Sequence, residues 1–525
     1  MKSNYSKYLY KILPLIIFLG GIGYFCLRIL GPGLEYLPGD FGDARFINYL
    51  LEHGYQWLIG NHTDFWQAPF MYPFDQTIAQ SDNMLGTMPL YSLFRIFGAQ
   101  QETAYQLWWI TICGLNFWSA YFISKRWFNR LDIALVVAWI FAFSIFNIGQ
   151  IIYVQMIIRF MVPIVIYAAY MMIETSQLKY LAIFSFGIVF QFYSVMYTGF
   201  FLMYFTIGFM IIYIIWTRKF KFIIPYLQRP ALFYTLGILF ISGLLMGLLI
   251  MPYYTISKLI GMRTYADVII NLPTISSYLF PPNASLLYST LHTVMLPRVY
   301  SDWWLHINFP GFIPLLTLIG YPIILIYGFI RKIALPKLFL ALGLTALLLF
   351  IFYLRTDHNQ SLYFILFMLP GMGSIRILSR YMHVELFFLL LTLAALLVHF
   401  NAKRIFILLL LGFVIIENSF DANLVQRIEK SNAVERRVNT VRSIKNQLEG
   451  NYKAFAIIDT TDAFFVTQID GMIASNYIDL PTVNGYSSSC PGEFGEFFAN
   501  VSTSGLDRWL THNQIKREDI LVVYR

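Results

Sequence analysis

Apolar segments of roughly 20 residues recur along the first 416 positions of the chain, and polar loops separate them. An uncharged stretch of about that length is what one α-helix needs to cross the hydrocarbon core of a bilayer. The pattern predicts eleven membrane-spanning helices. Their predicted bounds are 12–30, 104–124, 133–148, 156–173, 180–196, 200–216, 232–251, 309–330, 338–354, 384–400 and 405–416.

Lysine and arginine collect on the short loops of every second connection. Because basic residues accumulate on cytoplasmic loops, we expect the N-terminus to lie in the cytoplasm. The three long loops, 31–103, 252–308 and 355–383, then lie on the outer face. An odd number of spans places the C-terminal segment on that face as well.

After residue 418 the chain becomes polar. The run AVERRVNTVRSIKNQLEG has helical periodicity, whereas AFAIIDT and DILVVYR are typical of strands. About a hundred residues is a sufficient length for an autonomous unit. The predicted fold is therefore an α-helical polytopic membrane protein, residues 1–418, followed by a small extracytoplasmic α/β domain, residues 419–525.

Composition supports the membrane assignment and argues against a soluble, a nucleic-acid-binding and a disulfide- or zinc-stabilised protein. Hydrophobic residues make up 58% of the chain and charged residues 12%, whereas soluble domains carry about 25% charged residues. Basic cytoplasmic loops account for the net charge of +9, so nucleic acid is not expected as a partner. The three cysteines have no disulfide or zinc spacing. The first apolar run is too long for a typical signal peptide and is expected to be retained.

The first outer loop carries the sharpest chemical signal, the carboxylates Asp40 and Asp43 directly after the first span. Spacing of i, i+3 in a helix or turn places both on one side. Such a pair can bind a divalent cation, or one member can act as a general base. Alternatively, Asp40 caps a helix that begins near Asp43, and Asp43 pairs with Arg45. Asp82, in SDNMLGTMPLY, precedes an apolar run that would hold it near the bilayer.

Arg159 lies in the predicted fourth span, with Gln155 one turn earlier on the same face. A charge there is costly unless it lines a cavity or finds a partner, so Arg159 is a functional candidate. Near the outer end of the span it would meet an anionic lipid phosphate. The alternative is that it extends to the outer head groups.

Arg376 and Arg380, in LPGMGSIRILSRYMHVE, precede the tenth span and would share a helix face at i, i+4. Two guanidiniums in that arrangement suit a phosphate or pyrophosphate through bidentate hydrogen bonds. Interfacial anchoring is the competing explanation. Because these arginines lie on the outer side, against the general charge trend, phosphate binding is favoured.

Together these features resemble the GT-C superfamily of polytopic glycosyltransferases, which use polyprenyl-phosphate-linked sugars. The combination is also similar to bacterial membrane proteins of the YfhO and oligosaccharyl-transfer groups, which implies a bacterial inner membrane location. The matching segments are GDFGDARF, SDNMLGTMPLY, QFYSVMYTGFF, LPGMGSIRILSRY and NGYSSSCPGEF.

The resemblance implies that Asp40 or Asp43 is the catalytic base or a carboxylate beside a metal. The chain has D-x-x-D in place of an adjacent Asp-Glu pair or a D-x-D. It is therefore open which aspartate acts and whether a divalent cation such as Mg or Mn is held; no organic cofactor is expected. Arg159, Arg376 and Arg380 would hold the leaving phosphate of the donor. Further candidates for the site are Arg45, Asp82, Gln155, Tyr197 and Tyr381.

The working hypothesis is that the protein transfers a sugar with inversion from a polyprenyl-phosphate donor. The donor lies in the membrane lipid, and the acceptor is a glycan, lipid or protein of the cell envelope. One alternative is a transporter or flippase of a lipid-linked glycan. Such a protein needs polar groups near the bilayer midplane in broken helices, whereas here they concentrate on the outer face. The other alternative is a non-catalytic envelope assembly protein, in which the acidic loop is structural.

Overall fold

The computed structural model describes residues 2–299, 303–487 and 490–525, and side chains from residue 11 onward. Residues 300–302 of the second long outer loop and 488–489 of the NGYSSSCPGEF segment lie outside the described residues. The described chain is mainly helical, with two small sheets.

A helix lies at each of the eleven predicted span positions. Among the described residues, six helices are long and apolar enough to cross a membrane: Lys11–Leu30, Leu131–Gly149, Met196–Thr217, Ala231–Ile260, Phe312–Arg331 and Leu378–His399. Three shorter apolar helices are Met161–Thr175, Leu178–Ser194 and Lys337–Tyr353. The remaining two are Gln101–Phe128 and Arg404–Glu417. The multi-span architecture is thus present, and the count of eleven crossings stays a prediction.

These helices divide into a buried centre and a rim. Leu131–Gly149 is buried along its whole length, and most of Leu378–His399 is buried against its neighbours. Ala231–Ile260 and Phe312–Arg331 instead expose most of their apolar side chains. Because helices that are hydrophobic all round belong inside a large protein or in a bilayer, the exposed faces are the surface that lipid would cover.

The first long loop, predicted to lie outside, folds onto the ends of the helices to which it is connected. It contains the strand β1, Tyr36–Pro38, and the helix Asp43–Leu58, called here the first-loop helix. This helix is buried through most of its length, including Glu52, whose carboxylate accepts hydrogen bonds from Arg95 at 2.8 and 2.9 Å. The other short helices of the outer loops and connections are Met88–Ile96, Ile224–Leu227, Tyr265–Ile269, Ile275–Tyr278, Ser289–Met295 and Tyr363–Phe367.

In its described residues, 419–487 and 490–525, the C-terminal segment contains three strands and four α-helices. β2, Arg427–Glu429, pairs antiparallel with β1 of the first loop. AFAIIDT and DILVVYR contain β3, Ala454–Ile458, and β4, Ile520–Tyr524, which pair in parallel. The helices are Lys430–Asn446, Phe464–Ser475, Gly495–Asn500 and Thr503–His512.

The C-terminal segment is joined to the first loop by backbone hydrogen bonds as well as by β1–β2 pairing. The Met71 N–H donates to the Asn484 carbonyl at 3.0 Å, and the Thr482 N–H donates to the Pro69 carbonyl at 3.1 Å. Apolar side chains of both parts belong to one continuous core. The boundary at 418/419 and the outer location of the two parts stay predictions.

Candidate active site

Asp40 and Asp43 lie at the N-terminal end of the first-loop helix. Gly39 turns the chain with φ +95°, and a Cβ at this position would lie 2.3 Å from the Ala44 Cβ, so the approach requires glycine. Asp40 Oδ1 accepts a hydrogen bond from the Ala44 N–H at 3.2 Å, which is a capping role. Asp43 Oδ1 accepts from the Tyr486 hydroxyl at 2.7 Å, and Arg45 is not its partner.

Burial raises the pKa of Asp40 to about 6, and the negative charge of Asp43 adds to the rise. Hydrogen bonds from the backbone N–H groups of Ala44 and Gly42 act in the opposite direction. Asp40 is therefore mostly ionised at neutral pH.

Asp82 reaches the same place from the far end of the first loop. Its Oδ1 accepts from the Met196 N–H at 2.8 Å, where the helix Met196–Thr217 begins. Burial raises its pKa to about 6, while the Met196 hydrogen bond and the charge of Arg380 lower it. Asp43 also acts on Asp82 electrostatically, and both aspartates lie within electrostatic range of Arg380.

Arg380 is the cation of this group. Only 6% of its surface is exposed, and its guanidinium lies over the rings of Tyr153 at 4.2 Å and Tyr197 at 4.9 Å. Its Nε finds no hydrogen-bond acceptor among the described residues. A buried guanidinium with an unused donor, stacked between two aromatic rings, is a prepared binding group for an anion.

The predicted helical pairing of Arg376 with Arg380 is wrong. Residues 375–377 are extended and separate two 3₁₀ turns, Met372–Ser374 and Leu378–Tyr381, so no common helix face exists. Arg376 is nevertheless exposed and lies near Tyr197, one of the two rings beside Arg380. Its N–H donates to the Tyr197 hydroxyl at 3.3 Å, and its charge reaches Tyr153 and Tyr486.

A third arginine was not predicted from the sequence. Arg263 follows the helix Ala231–Ile260 and lies near Tyr197 and Arg376. Burial lowers the pKa of its guanidinium, the repulsion from Arg376 acts in the same direction, and Tyr197 opposes both. The available signal was the one that selected Arg376, a basic residue at the outer end of a span.

Arg159 is placed differently from the prediction. It precedes the helix Met161–Thr175 and is fully buried. Its guanidinium donates to Asn147 Oδ1 at 2.7 Å and to the Phe141 carbonyl, and it contacts His383 Nδ1 at 3.2 Å. Because protein groups enclose it, Arg159 cannot meet a lipid phosphate directly.

Three other predicted site residues are buried or paired within the protein. Gln155, in the 3₁₀ turn Val154–Ile157, is buried. Arg45 pairs with Asp470 of the C-terminal segment at 2.8 Å. Tyr381 turns into the helices and stacks on Tyr353 with ring centroids 4.2 Å apart.

The donor set for a metal is small. Among the residues that the structure describes, no three His, Cys, Asp or Glu side chains come together. One oxygen each of Asp40 and Asp43 already accepts a hydrogen bond from the protein. Divalent cations take several oxygen ligands, so these residues do not form a ready metal cage. The site instead combines aspartate carboxylates with arginine guanidiniums within electrostatic range.

The fold of the chain is similar to that of the archaeal oligosaccharyltransferase AglB from Archaeoglobus fulgidus. The apo crystal structure of that enzyme aligns with 98% of this chain and 69% of its own, at TM-score 0.54 and 12% identity. Its complex with an inhibitory peptide and a dolichol-phosphate aligns over the same shares at TM-score 0.53 and 12% identity. A complex with Zn and sulfate aligns with 90% of this chain and 62% of its own, at TM-score 0.49 and 12% identity.

No protein-family model and no curated protein matches the sequence. The fold of an oligosaccharyltransferase is therefore found here, whereas membership of the GT-C superfamily and a YfhO-like subtype stay predictions. The fold and the long apolar helices are those of a multi-pass membrane protein. Location in a bacterial inner membrane also stays a prediction.

Proposed function

We propose that this protein transfers a sugar from a polyprenyl-phosphate-linked donor to a cell-envelope acceptor at the outer membrane face. The observation that supports the proposal is the electrostatic interaction of Asp43 and Asp82 with the buried Arg380, within a fold similar to that of AglB. The AglB complex contains a dolichol-phosphate and a peptide, which supports a lipid-linked donor and a separate acceptor here as well.

The arginines form the donor side of the proposed site. Arg380 would bind the lipid phosphate through its unused donor, and Arg376 and Arg263 would neutralise the charge that develops as the phosphate leaves. Arg159 would act through His383, which contacts Arg159 at 3.2 Å and interacts electrostatically with Arg380. We therefore place Arg159 behind the phosphate site.

The aspartates form the acceptor side. Asp43 would take the proton of the acceptor O–H or N–H as the acceptor atom attacks C1 of the sugar. The C1–O bond to the phosphate then breaks, and the phosphate leaves with the electron pair, so the anomeric configuration is inverted. We assign the base to Asp43 because it reaches both Arg380 and Asp82 electrostatically, whereas Asp40 caps the first-loop helix.

The test compares sugar transfer by wild type, Asp43→Asn and Asp40→Asn in nanodiscs with a panel of polyprenyl-phosphate sugars. Asp75→Asn is the matched control, because Asp75 is an exposed carboxylate of the same loop. We expect Asp43→Asn to lose about 10²-fold or more in rate while it still binds the donor. Asp40→Asn should lose less, and the control should equal wild type.

The proposal fails if wild type transfers no sugar from any donor and the Asn variants behave like the control. In that case a fluorescent lipid-linked glycan in proteoliposomes would test for translocation across the bilayer, which is the transporter alternative.

A further inference from the structure

A groove of about 790 Å³ lies at the outer end of the first span, on the side where the chain meets the C-terminal segment. Gly23, Leu27, Arg28, Glu35 and Arg427 contribute to its lining. The helix changes there to a π-helical turn, Ile22–Leu27. Such turns are rare and occur often at functional sites, and this one lies outside the proposed active site.

Arg28 is the cation of the groove without a partner of opposite charge. Its guanidinium lies over the rings of Tyr24 at 5.5 Å and Phe420 at 5.3 Å, and no hydrogen-bond acceptor for it exists in the described part of the chain. Arg427 differs, because it donates to the Ile29 carbonyl at 3.2 Å and lies over the Tyr36 ring at 3.8 Å. The predicted topology puts Arg28 at the depth of the outer phosphates.

Glu35 is the anion of the groove. It is exposed, and its carboxylate accepts hydrogen bonds from the Gly33 N–H at 3.1 Å. In the described ranges it forms no ion pair with Arg28 or Arg427, although all three line the same groove. The groove therefore presents a separated cation and anion at the membrane surface.

We propose that this groove binds the head group of an ethanolamine glycerophospholipid of the outer leaflet. Arg28 would hold the phosphate through charge-assisted hydrogen bonds, and Glu35 would accept hydrogen bonds from the primary ammonium. A choline head group has no N–H to donate, and the Tyr24 and Tyr36 rings that would attract it already carry arginines. A glycerol head group has no cation for Glu35.

The first span also offers a path for the acyl chains. Ile12, Ile16 and Leu19 are exposed at spacings of three or four residues, and the same spacing leads to Gly23 and Leu27 in the groove. An added Cβ at Gly23 would meet nothing within 4 Å. A side chain at this position therefore has room at its Cβ and would extend toward the groove.

The experiment measures lipid retained by the full-length protein after detergent exchange, using mass spectrometry of the extracted lipids. Purified protein is first equilibrated with equal amounts of phosphatidylethanolamine, phosphatidylglycerol and phosphatidylcholine. We expect wild type to retain phosphatidylethanolamine preferentially. Arg28→Gln and Gly23→Leu should each retain about tenfold less phosphatidylethanolamine than wild type. Glu35→Gln should lose the preference over phosphatidylglycerol.

Lys258→Gln is the matched control, since Lys258 lies over the Tyr254 ring at 4.3 Å near the C-terminal end of another span. The proposal is overturned if Lys258→Gln loses as much lipid as Arg28→Gln, or if the three lipids are retained equally. It is also overturned as a lipid site if soluble glycerophosphoethanolamine raises the melting temperature as much as the intact lipid does. A wild-type melting temperature in Arg28→Gln and Gly23→Leu excludes misfolding as the cause.

Discussion

Asp82 is buried between the first loop and the helix Met196–Thr217, where its charged form is costly. Its pKa is about 6 in the folded protein, whereas an unfolded aspartate titrates at about 3.9. At pH values between these two pKa values, Asp82 is therefore more often protonated in the folded state than in the unfolded state. Stability therefore falls as the pH rises through this window, and it stays lower above pH 6.

We predict that Asp82→Asn raises the melting temperature at pH 7.5 and leaves it unchanged at pH 4, because asparagine keeps the acceptor for the Met196 N–H without the charge. Sugar transfer should fall at the same time, since the carboxylate no longer faces Arg380. Thermal unfolding in detergent at both pH values checks the first effect, with Asp75→Asn as control. An equal gain at both pH values would show that charge burial is not the cause.

Tyr486 holds Asp43 from the opposite end of the sequence through a hydrogen bond of 2.7 Å. We predict that Tyr486→Phe slows transfer by about tenfold, because a hydrogen bond to a charged group contributes roughly 1.5–3 kcal/mol. Transfer rates at saturating donor measure the effect, with Tyr452→Phe as control. An unchanged rate would mean that Asp43 is oriented by other groups.

At the scale of elements, Asp470 in the helix Phe464–Ser475 joins the two outer parts. It accepts hydrogen bonds from Arg45 at 2.8 Å, Arg436 at 2.7 Å and Arg525 at 2.8 Å. Burial, the largest single effect, raises the pKa of Asp470. The paired arginines together outweigh it, so the pKa of Asp470 is lowered. The carboxylate therefore connects the first-loop helix to the C-terminal strands and helices.

We predict that Asp470→Asn destabilises the outer region by about 3–5 kcal/mol, since the buried Arg45 loses its counter-charge. Limited proteolysis should release the C-terminal segment at lower protease concentrations than for wild type. Asp519→Asn is the control, because its partner Lys453 is mostly exposed. Equal protease resistance of the two variants would contradict this prediction.

Local pattern predicted the helices and the strands β3 and β4, because apolar periodicity depends on neighbours in the sequence. It could not predict the contacts that complete the site. Tyr486 and Asp43 are 443 positions apart, and Arg45 and Asp470 are 425 apart. The sequence likewise predicts contact of Arg159 with a lipid phosphate. The enclosure of Arg159 by Asn147 and His383 depends on tertiary packing, which local pattern does not show.

For the whole molecule, the number of crossings decides on which side the C-terminal segment lies. Eleven crossings with a cytoplasmic N-terminus place it outside with the first loop, whereas six would place it inside. Pairing of β1 with β2 requires that both lie on one side of the membrane. The structure therefore favours an odd count.

We predict that single cysteines at Thr63 and Glu449 react with an impermeant maleimide in intact cells, and that one at Lys332 reacts only after lysis. All three positions are exposed. The native Cys26, Cys113 and Cys490 would first be replaced, although the first two are buried. Protection of Glu449→Cys in intact cells would rule out the eleven-span topology.

The β1–β2 pairing also sets an order of events during biosynthesis. Pro38 and Arg427 are register partners, yet 388 of the 525 residues lie between them. At about 5–20 residues per second, a ribosome needs roughly 20 to 80 seconds to make that interval. During this time the first loop waits outside the membrane without its partner strand. Asp43 is likewise without Tyr486, so a chain still being translated cannot assemble the site early.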